Sequence, residues 1–600
     1  MRSVTVPLAL VLLAGCAGDR SEPGADTGAS RPPTDIRPGN AWFIDRAEET
    51  GLDFVHVNGA SGDFYYPEIL PPGVALLDFD NDGDLDVYLV QSRAIATGRN
   101  PTEAVAPPGM KLGGRLYRSD LQIRPDGTRE LHFSDITDAS GITATQYGLG
   151  VATGDVDNDG WVDLLLTNFG TNQLFRNKGD GTFTDVSKTS GLQDPSGRFA
   201  VSAAFVDYDR DGWLDLYVGN NVNYTIENET KCPDMAGVRD YCPPQIYGGQ
   251  PDRLYRNLGN GRFVDVSAKA LLGGTFGPAL GVATADYNGD GWMDIYVAND
   301  GEENLLWMNQ RNGTFKEMAL LAGAALTAEG KAEASMGVDA GDFDNDGDED
   351  LFMTELTGQG SNLYMNDGSA KFRDLSAVSG LGQLSLPYTG WGTGWFDFDN
   401  DGWLDLLTVN GTIVASQGRD KPSFPYDQRK LLFRNLGDGR FEDVTRQAGA
   451  VFDVSEAGRG AAFGDVDNDG DVDVLVGNDA GRVQLLVNNV GNRNHWLGLR
   501  LVGRRAARPG TRSTGSGPTA ESRHMLGARV SVSRADGSKL WRRARADGSY
   551  GSANDPRVLV GLGASTEKPR VEVRWPDGRI EEWRDVAIDQ WTTLTQGSGR

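Results

Sequence analysis

The chain has 600 residues, with 57 Lys and Arg against 85 Asp and Glu, a net charge of −28, four His and three Cys. That balance excludes a nucleic-acid binder, which needs clustered Lys and Arg to meet phosphates, and four His leave little room for zinc sites or imidazole catalysis. Gly and Pro stay below the level of low-complexity disorder, and about half of the residues are apolar or glycine, so a packed core is available.

Residues 1–16 read as an export signal. Met1 and Arg2 make a positive start, and the apolar stretch from Val4 to Leu13 is too short to span a bilayer. It ends in Leu13-Ala14-Gly15-Cys16, which resembles a bacterial lipobox with Cys16 as the acylated residue; an ordinary secretory signal is the alternative. Residues 17–40 are rich in Gly, Pro, Ser and Asp and read as a flexible tether. No later segment is apolar for long enough to cross a membrane. The expectation is an exported protein, lipid-anchored in the bacterial cell envelope at the outer membrane or cell surface, which touches the membrane through its anchor alone.

A nine-residue pattern, Asp-x-Asp-x-Asp-Gly-x-x-Asp, then recurs seven times. Its acidic positions 1, 3, 5 and 9 are Asp78, Asp80, Asp82 and Asp86; Asp155, Asp157, Asp159 and Asp163; Asp207, Asp209, Asp211 and Asp215; Asp286, Asn288, Asp290 and Asp294; Asp342, Asp344, Asp346 and Asp350; Asp397, Asp399, Asp401 and Asp405; Asp465, Asp467, Asp469 and Asp473. Before each copy runs a small, apolar stretch such as Gly148-Leu149-Gly150-Val151-Ala152. After it comes a strand such as Leu214-Asp215-Leu216-Tyr217-Val218, then a hairpin signature such as Leu174-Phe175-Arg176-Asn177 leading through Gly179-Asp180-Gly181 to Phe183-Thr184-Asp185-Val186. Each unit is therefore expected to be about four short strands without helix, and such units in a row close radially. The long inserts fall at residues 94–113, 222–250 and 412–429. Trp42-Phe43-Ile44-Asp45-Arg46 resembles the strand that ends the other units, and the last unit lacks one. The reading is an all-β, seven-bladed propeller over residues 41–490, its last blade completed by the N-terminal strand.

The aspartates are spaced for calcium. Alternate oxygens at positions 1, 3 and 5, a turn glycine at 6 and a carbonyl at 7 describe a hard-cation loop. Position 12 is never acidic, so these are not EF-hands; the last carboxylate sits at position 9, at the entry to a strand. Position 7 is Asp84, Trp161, Trp213, Trp292, Asp348, Trp403 or Asp471, variation that a backbone ligand tolerates. Solvated Asp-Gly turns are the plain alternative, but converging carboxylates repel without a cation. The expectation is up to seven Ca²⁺, about one per blade, acting as staples. The seven motifs hold 27 carboxylates at these positions, and seven divalent cations would offset half of the −28.

On these motifs the units resemble FG-GAP/VCBS repeats, the calcium-loop blades of integrin-α-like propellers. The run from Phe54-Val55-His56-Val57-Asn58-Gly59 through Tyr66-Pro67-Glu68 to Gly73-Val74-Ala75 resembles the cartilage acidic protein 1 family. The two remaining cysteines, Cys232 and Cys242, stand in a Pro-rich insert of a protein read as exported and are expected to pair. The aspartate motifs stop before residues 491–600. There Gly527-Ala528-Arg529-Val530, Gly548-Ser549-Tyr550, Gly561-Leu562-Gly563 and Trp575-Pro576-Asp577-Gly578 resemble the ASPIC/UnbV domain, expected to be a small β-rich module with a disordered basic insert at 504–518. Arg542, Arg543 and Arg545 read as a solvated strand edge, with anionic sugars as an alternative partner.

The resemblance implies an extracellular, calcium-dependent adhesion or matrix role without an assigned reaction. The function expected is therefore a binding module for a glycan or an extracellular protein. A calcium-dependent propeller enzyme acting on polysaccharide or sugar, of lyase or dehydratase type, and an envelope scaffold are the alternatives. His56, Tyr66 and Glu68 are the residues nearest to a ligand site, with Tyr388, Trp391 and Trp395 as candidate sugar-stacking aromatics. There is no nucleophile elbow, triad or zinc cluster in the sequence, and His56 reads as a hydrogen-bonded structural residue.

Overall fold

The computed structural model describes residues 41–600 apart from 61, 96–111, 145, 193–197, 234–236, 272–273, 415–425, 505–521 and 535. The signal segment 1–16 with Cys16, the tether 17–40 and residues 505–518 of the basic insert lie outside the described residues.

Among the described residues seven four-stranded antiparallel sheets follow one another along the chain and form a β-propeller. Their innermost strands are Val74–Leu77, Tyr147–Gly154, Ala200–Val206, Ala279–Ala285, Val338–Gly341, Gly390–Phe396 and Gly458–Gly464. Each touches the next, and Val74–Leu77 touches both Tyr147–Gly154 and Gly458–Gly464, which closes the ring. The last sheet is completed by Phe43–Asp45, which pairs with Gln484–Asn488 in the register Phe43 to Asn488 and Asp45 to Leu486. Neighbouring blades share wedge-shaped apolar cores: Phe343, Phe352, Trp395 and Leu406 fill one, and Ala204, Tyr217, Ile295 and Trp307 another.

Small residues dominate the inner strands because backbone approaches backbone at the axis. A Cβ on Gly73 would sit 1.8 Å from the carbonyl oxygen of Gly551. The expectation of units without helix is corrected at their outer ends. A single helical turn follows the fourth strand, as at Thr137–Ser140 and Ser187–Ser190, each ended by a left-handed glycine, Gly141 or Gly191. The Asp of the outer strand starts the turn: Asp135 Oδ1 accepts the Thr137 N–H at 2.9 Å.

The described residues of 495–600 form two four-stranded sheets around their own core of Leu497, Leu499, Val530, Val560, Val571 and Trp575. The ten-residue strand His495–Arg504 is central to the first, pairing with Ser522–His524, Val558–Gly563 and, in parallel, Trp591–Thr595. Propeller and C-terminal domain belong to one compact unit.

Candidate metal centres

Each aspartate motif is the turn from an innermost strand into the second strand, so all seven lie on one face of the ring. Position 4 adopts the left-handed conformation, with φ of 52–59° at Asn81, Asn158, Arg210, Asn345, Asn400 and Asn468 and 68° at Gly289. The glycine at position 6 has φ of 85–102°. These two turns fold the loop back, so that the N–H of the position-6 glycine donates to Oδ2 of the position-1 aspartate at 2.7–3.1 Å in all seven copies.

Oxygens of positions 1, 3 and 9 converge. In Asp78, Asp80 and Asp86; Asp155, Asp157 and Asp163; Asp207, Asp209 and Asp215; Asp342, Asp344 and Asp350; and Asp397, Asp399 and Asp405, one oxygen from each residue lies within 4.8 Å of the others. Position 5 plays a different part, its Oδ1 accepting the position-7 N–H at 2.8–3.2 Å. Position 9 has a role that spacing alone does not disclose. Its Oδ1 accepts a backbone N–H from the third strand, of Ser119, Asn177, Asn257, Asn309, Asn366, Asn435 or Asn488, at 2.7–2.8 Å. The loop is thereby tied to its own blade.

The residues fit a hard divalent cation. The donors are all oxygens, and buried oxygens of Asp78, Asp80, Asp207, Asp215, Asp467 and Asp471 accept no hydrogen bond from the protein. Burial, then the charge of neighbouring aspartates, pushes Asp155 and Asp207 up to about 7, Asp342 up to about 8 and Asp215 up to about 9. Arginines approach some loops from outside: Arg256 bonds Asp209 at 2.7 Å and Asp211 at 3.0 Å, and Arg311 bonds Asp290 at 2.7 Å.

The loops are also linked to one another. Asn81 donates to Gly160 O of the next loop at 2.9 Å, Asn158 to Gly212 O at 2.9 Å, Asn345 to Gly402 O at 3.2 Å, Asn400 to Gly470 O at 2.7 Å and Asn468 to Gly83 O at 3.3 Å. Between the third and fourth loops Arg210 stacks on Trp292 at 4.7 Å instead.

The C-terminal domain covers this face. Arg500 meets Asp78 at 3.0 Å, and Arg523, Arg542 and Arg557 bond the loop backbones. Arg543 pairs with Glu349 and Arg545 with Asp339. The solvated edge expected for Arg542, Arg543 and Arg545 is therefore corrected: these arginines lie against the acidic loops of their own chain, and the paired carboxylates supply the reason.

From this domain residues 547–555 enter the axis and hydrogen-bond the innermost strand of every blade. Ala553 donates to Val74 O at 2.9 Å; Gly551 O accepts from Val151 N at 2.9 Å and Gly551 N donates to Ser202 Oγ at 3.0 Å. Asp547 accepts from Thr284 N at 2.6 Å, Ser549 O from Val338 N at 3.1 Å, Ser549 Oγ from Thr393 N at 3.2 Å and Asn554 Oδ1 from Phe463 N at 3.0 Å. At its far end the Tyr550 ring lies edge-on to Trp391 at 4.8 Å, and Trp391 stacks under Arg459 at 4.2 Å.

The six candidate ligand residues do not form one site. Trp391 and Trp395 are buried, Trp391 beside the axial segment and Trp395 stacked on Phe343 in the core that Tyr388 also borders. Neither presents a ring to a sugar, because both carry the apolar packing between blades. His56, Tyr66 and Glu68 do gather, at the opposite end of the strands from the loops, and all three are buried. Glu68 accepts from Tyr241 OH at 3.1 Å, and Tyr66 packs among Phe199, Tyr224 and Tyr247.

His56 lies between Ser92 and Asp479, an order that invites comparison with a nucleophile–base–acid relay. The serine hydroxyl is engaged elsewhere. The Ala480 N–H lies 3.2 Å and Asp479 Oδ1 3.4 Å from Nδ1, and the Ser92 hydroxyl, 3.3 Å from Nε2, donates to Gly148 O at 2.7 Å, so its proton is held by that carbonyl. Asp479, Ser92 and Tyr241 were not visible as neighbours in the sequence; only the pairing of Cys232 with Cys242, formed with Cα atoms 5.2 Å apart, marks the insert that brings Tyr241 in.

A model described as FG-GAP-like repeat matches residues 155–218, 245–297, 286–353, 342–408 and 423–498, and one described as ASPIC and UnbV matches 517–600. The chain is 24% identical over 554 residues to mouse (Mus musculus) cartilage acidic protein 1, covering 88% of this chain and 74% of that one. It is 25% identical over 551 residues to the human (Homo sapiens) protein of that name, covering 88% and 72%. Among solved structures, a lectin of Agrocybe aegerita that recognises non-reducing terminal N-acetylglucosamine is similar at a TM-score of 0.34 and 16% identity, over 63% of this chain and 90% of that one. The chain belongs to the FG-GAP-like repeat family and ends in an ASPIC and UnbV domain.

Proposed function

We propose that the protein is an exported, lipid-anchored binding module of the bacterial cell envelope, whose loops take calcium as structural staples and whose opposite face captures a glycan or an extracellular protein. Calcium suits the loops better than magnesium, since three carboxylate oxygens converge and the motif offers a position-7 backbone oxygen beside them, a set without the strict octahedron and retained waters of magnesium. The binding reading rests on one observation. At the end of the strands away from the loops, the insert carrying Cys232 and Cys242 reaches the segment before the first blade and the insert of the sixth. Tyr241 bonds Glu68, lies 5.2 Å from the Phe64 ring and 6.3 Å from the Tyr426 ring, and Arg239 pairs with Asp63. Aromatic rings with polar tips gathered on loops over a rigid ring are the chemistry of recognition surfaces. The reading assigns no catalysis. The test is a glycan and secretome screen with calcium-loaded protein lacking the tether. Binding that Tyr241→Ala and Tyr426→Ala abolish supports the reading; binding that survives both removes this face from it.

A further inference from the structure

We propose that cation loading of the loops and insertion of the axial segment 547–555 are thermodynamically coupled, so that withdrawing calcium releases this segment from the ring. The inference rests on the calcium reading above and goes beyond it, because a staple within a blade need not communicate with another domain.

The coupling runs through three arginines that grip the loops in one manner. Arg523 donates to Asn158 Oδ1 at 2.8 Å and to Gly212 O, spanning the second and third loops. Arg542 donates to Gly402 O at 3.2 Å and approaches Asn345 Oδ1 at 3.5 Å, spanning the fifth and sixth. Arg557 donates to Asn468 Oδ1 at 2.8 Å and to Gly83 O at 3.2 Å, spanning the seventh and first. In each case the gripped atoms are the position-4 amide of one loop and the position-6 carbonyl of the next, the two ends of the link between neighbouring loops. Neither atom is a ligand. Both stand one residue from a ligand position, and the position-6 N–H is bonded to the position-1 aspartate, so their placement follows the closed shape of the loop.

A cation stabilises that shape, whereas without one the buried oxygens of Asp78, Asp80, Asp207, Asp215, Asp467 and Asp471 repel one another inside loops that flank two of the gripped links. Arg543 and Arg545 sit on the same strand as Arg542 or just beyond it, and two residues further on the chain enters the axis at Asp547. Closed loops thus hold the arginines, and the arginines hold the segment in place. Coulomb repulsion between the arginines and bound cations opposes this coupling, but at the links the guanidinium groups bond neutral amide and carbonyl oxygens and not the ligand carboxylates. The shape effect therefore sets the sign.

The experiment is hydrogen exchange on the full chain with calcium and with chelator, below the melting temperature, beside a calcium titration read by native mass spectrometry. With calcium bound, the amides of Gly551, Ala553 and Asp555 are protected; chelator speeds their exchange at least about tenfold while outer-blade amides that bond only backbone, such as Val186 on Leu174 O and Val266 on Leu254 O, keep their protection. Unchanged exchange at residues 547–555 in a chain that does bind calcium overturns the coupling and leaves the staple reading intact. Uniform loss of protection overturns it as well, since the ring then unfolds instead of opening. A chain that binds no calcium removes the staple reading itself. The reciprocal arm uses the variant carrying Arg523→Gln, Arg542→Gln and Arg557→Gln. Coupling predicts weaker calcium binding by about tenfold. Tighter binding, which the loss of three positive charges would give by Coulomb's law alone, overturns it.

Discussion

Arg543 Nε lies 3.0 Å from one carboxylate oxygen of Glu349 and 2.9 Å from the other, with both side chains no more than 7% exposed. Glu349 is position 8 of the fifth aspartate motif, where the other six copies have Leu85, Val162, Leu214, Met293, Leu404 and Val472. This one departure from an apolar position supplies the partner for an arginine of the C-terminal domain. Glu349→Leu restores the residue type of its neighbours but leaves Arg543 with only Asp547, 3.6 Å away. The expected loss is about 1–3 kcal/mol, because the buried guanidinium loses its two bonds to Glu349 and keeps only a longer ion pair. Adding Arg543→Met should recover part of it, as apolar replacement of a buried pair is often neutral while Asp547 loses its ion partner. Chemical denaturation of the two variants checks this; a double variant no better than the single one would show that the pair is not the unit.

Calcium removal should lower the melting temperature steeply. Each site held at 100 times its Kd contributes about 2.7 kcal/mol to the folded state, and seven loops multiply the effect. Differential scanning calorimetry across a calcium series reads it directly, and a melt indifferent to chelator would remove calcium from the fold.

The repeat was legible because its constraints are local. Asp at positions 1, 3, 5 and 9 and Gly at 6 are needed within nine residues, and the hairpin glycines mark the strands that follow. The N-terminal strand could be placed because Phe43-Ile44-Asp45 copies the outer-strand pattern. The axial segment was not legible. Ser549, Gly551 and Ala553 use backbone atoms and one small hydroxyl, and their partners lie from 156 (Thr393 to Ser549) to 479 (Val74 to Ala553) residues earlier in the chain. Arg542, Arg543 and Arg545 read as a solvated edge because Glu349 and Asp339, which neutralise two of them, look like surplus acid in an acidic chain. Trp391 and Trp395 carried a sugar-binding signal by residue type, whereas their inner-strand positions put them in the packing.

Tyr550 should be the most sensitive single residue of the axial segment. It is fully buried, its ring meets Trp391 and its hydroxyl donates to Leu70 O at 2.9 Å. Tyr550→Ala should cost about 3–5 kcal/mol, as expected for a large aromatic side chain removed from a tight site. Tyr550→Phe keeps the ring and leaves one buried carbonyl without its donor, about 1–3 kcal/mol. Equal losses in denaturant melts would place the contribution in the hydroxyl instead of the ring.

Acid should loosen the C-terminal domain through His524. Its strand, Ser522–His524, pairs with the central strand of the first sheet at Val502. Burial, then the charges of Arg500 and Arg557, lowers the imidazole from 6.5 to about 4. Between pH 6.5 and 4 the unfolded chain therefore takes up a proton that the folded form refuses, so stability falls as pH drops through that window and this contribution is flat above it. His524→Gln cannot charge and should lose less melting temperature than the wild type between pH 7 and pH 4.5. Both proteins should be measured at saturating calcium, so that protonation of the loop carboxylates enters the two curves alike and cancels in their difference. Parallel curves would mean that the ring stays neutral in the unfolded chain or accepts its proton without cost in the folded one, and would take His524 out of the acid response.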